Sequence, residues 1–249
     1  MKKPTTQPID PIIDQLLAIG LKKTAESLEN LYNSPEFLNL DRVELISRLV
    51  EPEYTTTTNR RYLSRLKLAH LSGCPQELNS CTDSSERSYM PEGVVKTLSS
   101  GNFIRNGMNI CILGASDSGK TYLAKALGIS ACSKFSVEYY DTEELIEQLS
   151  DVKVQSLKDY NKRKQHLCKL DLLIRDDFLL HTITDEDQIK VLHQLLNKRA
   201  EALKSTIVCS QRMPKNWKAM IKDDPIAADA IEKRATKHYT VMIQSKTDE

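Results

Sequence analysis

The chain has 249 residues, 40% of them hydrophobic, and its 35 Lys and Arg against 34 Asp and Glu leave a formal net charge of +1. That length suits one or two domains with a substantial core, and the charge balance excludes attraction to nucleic acid by the molecule as a whole, leaving only local clusters. No apolar run reaches membrane-spanning length, and the opening MKKPTTQPID lacks the apolar stretch of a signal peptide. A cytoplasmic protein without a membrane partner is therefore expected. The six cysteines, Cys74, Cys81, Cys111, Cys132, Cys168 and Cys209, show no C-x-x-C and no paired metal spacing. They read as small buried thiols.

In chain order, residues 9 to 72 carry helical periodicity in IIDQLLAIGL, AESLENLY, LDRVELISRLV and NRRYLSRLKLAHL, which predicts an all-α N-terminal domain over 1–72. Residues 73–91, GCPQELNSCTDSSERSYMP, are polar and serine-rich between prolines, and read as a linker or a draped loop. From 92 to 249 the pattern changes. Five apolar segments, NICIL, SVEYY, DLLIR, TIVCS and YTVMI, alternate with helical ones. Strands alternating with helices predict an α/β domain, a five-stranded parallel sheet with helices on both faces.

The first strand runs into Gly114, Ala115, Ser116, Asp117, Ser118, Gly119, Lys120, Thr121 and Tyr122, which fits G-x-x-x-x-G-K-[ST] in the strand-loop-helix setting that this phosphate loop requires. Glycines let consecutive N–H groups face inward, and the following helix adds its positive N-terminus, so a phosphate chain fits there. Lys120 is then the point charge on the outer phosphates, and the Thr121 hydroxyl a ligand to Mg²⁺.

The third predicted strand ends in Asp176 and Asp177. Such a pair either caps a turn or, if another strand is inserted between this one and the first, stands beside the phosphate loop. In that case the first acid holds Mg²⁺ and the second polarises the attacking water. Gln211, at the tip of TIVCS, either orients that water or is an ordinary loop glutamine. Arg234 ends the helix before the last strand. It is either a solvated surface group or a guanidinium supplied to a neighbour's nucleotide.

Taken together, ILGASDSGKTYLAKALG, DLLIRDDF, STIVCSQRMPKNW, DDPIAADAIEKRA and the helical region ending NRRYLSRLKLA resemble the IstB-like transposition helper ATPases, relatives of the DnaC helicase loaders within the AAA+ class. The resemblance spans nearly the whole chain. It implies Mg²⁺-dependent ATP hydrolysis, self-association into rings or filaments through the ATP interface on duplex DNA, and partnership with a transposase. It matches Lys120 and Thr121 to Walker A, Asp176 and Asp177 to Walker B, Gln211 to the sensor and Arg234 to the arginine finger. The chain stops soon after the fifth strand, which leaves no room for a C-terminal helical lid. A helicase loader is the alternative; a small-molecule kinase is disfavoured by Arg234 and by the lack of an acceptor-pocket motif.

Three positions depart from the family pattern. Asp117 stands where glycine is more usual, and an acid facing phosphates is expected to cost some affinity unless its side chain turns outward; Asp does tolerate left-handed backbone. Arg175 interrupts the Walker B strand, so it either reaches a sheet edge or pairs with an acid such as Asp171. The segment after DDF also lacks the family's glycine turn. For DNA, the segment 152–169 carries Lys153, Lys158, Lys162, Arg163, Lys164 and Lys169 against Asp159 alone, and its placement resembles the helical insertion that DnaC and related initiators turn toward nucleic acid. A solvated basic face is the other reading. A second cluster, Arg60, Arg61, Arg65 and Lys67, lies on one N-terminal helix, where it could touch DNA or the transposase. Neither cluster holds a base-reading code, so contact with DNA is expected to be sequence-independent.

Overall fold

The computed structural model describes residues 9–222 and 224–245. It divides into two compact units, residues 1–64 and 65–249, with the boundary inside one helix. In the first unit, α1 (Asp10–Ala18) and α2 (Lys22–Tyr32) precede α3 (Arg42–Leu68), which fuses two segments that read separately in sequence. Pro52 lies inside α3. It removes one backbone donor, and the intact turns on either side carry the helix through. Arg48 ties the unit together by pairing with Glu36 at 3.1 Å and with Glu44 one turn away.

The end of α3 belongs to the second unit. Arg65 donates to the carbonyls of Cys132 and Ser133 at 3.3 and 2.9 Å, and the Ala69 carbonyl accepts from Tyr139 N at 3.0 Å. Ala69 and Leu71 are fully buried. Here the chain that reads as a linker folds onto the domain. It forms the short edge strand β1 (Arg87–Met90), followed by α4 (Val94–Ser99) and α5 (Asn102–Arg105). The five expected strands and their helices follow: β2 (Ile110–Leu113), α6 (Lys120–Ala131), β3 (Val137–Asp141), α7 (Thr142–Gln155), α8 (Leu157–Lys169), β4 (Leu172–Asp176), α9 (Glu186–Glu201), β5 (Ser205–Ser210), α10 (Pro225–Ala235) and β6 (Tyr239–Ser245).

The sheet order is β1-β6-β2-β5-β4-β3. The five expected strands are mutually parallel, and β1 adds a sixth, antiparallel to β6 with Arg87 opposite Ser245. Strands β2, β4 and β5 are buried at every position, because helices cover both faces of a parallel sheet. One core packs Leu113, Val208, Phe178, Trp217, Leu192 and Ile231 together; another packs Tyr140, Leu173, Leu149, Leu167 and Leu195. Because β5 lies between β2 and β4, the carboxyl ends of these three strands open side by side.

Arg199 pins the far end of the sheet. It is fully buried, and donates to Thr206 Oγ1 at 3.0 Å and to the carbonyls of Leu167, Leu170 and Ser205. Burial lowers its guanidinium to about 10. Carbonyl acceptors at the ends of α8 and β5 thus stand in for a carboxylate partner.

Candidate functional site

The loop between β2 and α6 needs its glycines for two different reasons. A β-carbon on Gly114 would lie 2.5 Å from Ser118 Oγ and 2.6 Å from the Ile243 carbonyl. Gly119 adopts φ +97°, in the region that favours glycine, and caps α6 with backbone alone. Asp117 takes left-handed backbone at φ +57° and is exposed, as its substitution for glycine requires. The first turn of α6 holds no acid and no side-chain cap, so its N–H groups are left for an external acceptor.

Lys120 is 5% exposed, and its ammonium donates to the Ala115 carbonyl at 2.5 Å. Burial lowers its pKa, opposed by the charges of Asp176, Asp177 and Asp117. Ser118 Oγ is buried without a partner among the described residues.

A cleft of about 410 Å³ gathers the loop residues Ser116, Asp117, Gly119, Lys120, Thr121 and Tyr122 with Asp177, Gln211 and Gln76. Residues from the ends of β2, β4 and β5 thus meet at one place. Asp176 stands just behind, 3% exposed. Its Oδ1 accepts from the Asp177 amide at 3.1 Å, its Oδ2 from the Tyr139 phenol at 2.7 Å, and its carbonyl from Thr142 Oγ1 at 2.6 Å. Asp177 takes φ +47°. Burial raises its pKa, and the like charges of Asp176 and Asp141 add to that, while a hydrogen bond from Gln211 works against it. A carboxylate that holds its proton more readily, beside an amide able to orient water, suits proton acceptance.

The hard oxygens of Thr121 and Asp176 suit Mg²⁺. Uncapped amides, an orphan hydroxyl and a buried ammonium suit the phosphates of a nucleotide. Among the described residues no group of three or more His, Cys, Asp or Glu side chains is arranged to hold a metal by itself.

One residue lining the cleft, Gln76, and three packed against its loop or its acids carry no sequence signal. Gln76 and Arg87 come from the segment that reads as a linker, and a β-carbon on Gly119 would lie 2.8 Å from the Arg87 guanidinium carbon. Tyr139 and Thr142 hold Asp176 from β3 and α7. Arg175 is at neither expected place. It is fully buried in the sheet interior, and Asp171 pairs instead with Lys204 at 2.7 Å. One guanidinium nitrogen of Arg175 donates to the Thr142 carbonyl at 3.1 Å, and two are without partners among the described residues. Burial drives it down to about 9, with the nearby Asp141 charge opposing.

Arg234 is not in the cleft. Its carbonyl accepts from Asn109 Nδ2 at 2.7 Å, at the start of β2, and its guanidinium donates to the Ala230 carbonyl and to Asn197 Oδ1. The phosphate loop lies at the opposite end of β2, which at about 3.3 Å per residue is roughly 13 Å away.

The basic residues separate as well. Lys153 pairs with Asp187 at 2.9 Å; Arg163 pairs with buried Glu138 at 3.2 Å and meets the Tyr140 phenol; Lys164 lies over the Tyr160 ring at 4.6 Å. Lys158 and Lys162 are exposed on one face of α8, with Lys169 on the same stripe. Arg60 and Arg61 are exposed on α3, whereas Arg65 is bound to the carbonyls at the end of α6.

Fold and site together define a P-loop nucleotide-binding protein of the AAA+ class. The chain belongs to the IstB-like ATP binding protein family, whose profile matches residues 14–248. It is 31% identical over 204 residues to the ATP-binding protein of insertion sequence IS1162 from Pseudomonas fluorescens, covering 80% of this chain and 84% of that one. It is also 31% identical over 224 residues to the insertion-sequence ATP-binding protein y4uH of Sinorhizobium fredii, covering 89% and 87%. Among solved structures it resembles the DnaC helicase loader, with a TM-score of 0.53 and 18% identity over 68% of this chain and 97% of that one. AMPPCP-bound DnaA from Aquifex aeolicus matches with a TM-score of 0.54 and 20% identity, over 68% of this chain and half of that one. Among the described residues no helix is long and apolar enough to cross a membrane.

Proposed function

We propose that this ATP-binding protein is a Mg²⁺-dependent ATPase that assembles on duplex DNA with ATP and recruits or stimulates the transposase of an insertion sequence. The observation that carries the enzymatic part is the convergence of Lys120, Thr121, Asp177 and Gln211 on one cleft, with Asp176 held behind them. Lys120 and the amides of α6 bind the phosphates. Thr121 and Asp176 hold the metal, which when bound neutralises charge on the transferred phosphoryl group. Asp177 accepts the proton of the attacking water while Gln211 fixes that water in place. Arg234, at the wrong end of its own sheet, completes the cleft of a neighbouring copy, where a guanidinium offsets transition-state charge.

DNA contact is carried by the α8 stripe Lys158, Lys162 and Lys169, whose ammonium groups face outward, and by Arg60 and Arg61 on α3. The transposase partnership is supported by relatives named as ATP-binding proteins of insertion sequences. Phosphate release in the presence of duplex DNA, ATP and Mg²⁺ tests the reading. Lys120→Ala is expected to abolish release while leaving the circular dichroism spectrum intact, since its charge serves phosphates and not the core. Equal turnover in wild type and variant would remove the cleft from consideration.

A further inference from the structure

The surroundings of α6 present an electrostatic problem. Its N-terminus is uncapped by any side chain, its first residue is Lys120, and its first turn has no acid. A helix N-terminus carries about half a positive charge and ordinarily collects carboxylates, not cations. Yet a second cation is packed against it. The Arg87 guanidinium lies so close to Gly119 that a β-carbon there would sit 2.8 Å from both its carbon and one of its nitrogens.

The fold puts it there deliberately. Arg87 is opposite Ser245, at the end of β6 that adjoins the phosphate loop, because β6 runs parallel to β2 with Met242 beside Leu113. Its side chain is half-buried and hydrogen-bonded to the Tyr89 phenol two residues along the strand. Among the described residues no carboxylate forms an ion pair with it. Asp176, Asp177 and Asp117 act on Lys120, but among the described residues none of them is ion-paired with Arg87, whose guanidinium stands against the phosphate loop at Gly119.

We propose that Arg87 is a second phosphate-binding cation of the nucleotide site, supplied by the same chain from its edge strand and contacting the part of the phosphate chain that ATP and ADP share. The proposal rests on the nucleotide-binding reading of the cleft. Gly119 is the residue whose amide opens α6 toward the phosphates, and a guanidinium beside it offers paired donors that an ammonium does not. It differs from Arg234 in kind: Arg87 acts within one copy and on binding, while Arg234 acts between copies and on hydrolysis.

Calorimetric titration of ATP and of ADP into full-length variants tests this, with melting of the nucleotide-free protein alongside. Arg87→Met is expected to weaken both nucleotides by about tenfold or more, equivalent to about 1.4 kcal/mol, with their ratio unchanged. The nucleotide-free variant is expected to melt no lower than wild type, since removing a cation from a helix N-terminus relieves repulsion. Arg87→Lys should recover part of the affinity and Arg87→Gln none, because charge is what the phosphates need. Unchanged affinity for both nucleotides in Arg87→Met would overturn the proposal, as would rescue by Gln and not by Lys. Loss of affinity only in step with a lowered nucleotide-free melting point would also overturn it, showing a packing role. Wild type and Lys120→Ala separate the two levels: if wild type binds neither nucleotide, the reading of the cleft itself falls. If wild type binds, Lys120→Ala does not, and Arg87→Met equals wild type, only the role of Arg87 falls.

Discussion

Asp176 and Asp177 are adjacent in sequence and opposite in circumstance. Asp176 accepts from an amide and a phenol, so its carboxyl group is fixed in orientation. Asp177 stands in left-handed backbone, desolvated and next to like charge, and its pKa is raised. A carboxyl whose folded pKa exceeds its unfolded one carries a penalty at every pH above the unfolded value, and loses it as pH falls through the folded value. Asp177→Asn is therefore expected to melt above wild type at neutral pH, the gap closing as pH is lowered through the carboxylate range; a lower melting point at neutral pH would contradict this. The same variant should bind ATP and lose about 10²-fold or more in turnover, the usual contribution of a general base. The motif residues were legible because their spacing is local. Gln76, Arg87, Tyr139 and Thr142 were not, since each comes to the cleft, to its loop or to Asp176 from a segment whose own pattern says only loop, strand or helix start.

At the scale of elements, β4 and α8 each show what periodicity leaves out. The apolar run LDLLIRDDF announced a buried strand, but a strand flanked by β5 and β3 and covered by helices on both faces gives Arg175 no solvent to reach. Two of its nitrogens are without partners among the described residues, and burial lowers its pKa to about 9. A buried charge that is incompletely hydrogen-bonded costs stability, which an apolar side chain of similar length does not. Arg175→Met should accordingly raise the denaturant midpoint, and a loss of stability would show that its one bond to the Thr142 carbonyl outweighs its desolvation.

In α8, the sequence gathered Lys158, Lys162, Arg163 and Lys164 into one basic cluster, and the helix divides them. Arg163 faces Glu138 and Lys164 faces Tyr160, while Lys158, Lys162 and Lys169 share the outer stripe. Replacing those three with alanine should weaken duplex binding equally on unrelated sequences and flatten log affinity against log salt by about two to three, at about 0.9 per contact. Fluorescence anisotropy across a salt series measures this. An unchanged slope would move the contact to Arg60 and Arg61.

For the whole molecule, the strand order sets which residues share the cleft and which stand away from it. With β5 between β2 and β4, three strand ends build the cleft, and the edge strand β1, too short and polar to be read from sequence, brings Arg87 against Gly119 of the phosphate loop. Arg234 sits where β2 begins, and its guanidinium is directed at Asn197 on α9. In the proposed mechanism hydrolysis needs two copies, one giving the phosphate loop and the other Arg234. Arg234→Ala should bind ATP yet lose about 10³-fold or more in turnover, as loss of an arginine finger does. The most direct measurement is phosphate release from a mixture of Arg234→Ala and Lys120→Ala proteins on duplex DNA, where some interfaces pair an intact loop with an intact Arg234. Turnover in the mixture well above that of either variant alone is the predicted result; a mixture no more active than its components would contradict the claim.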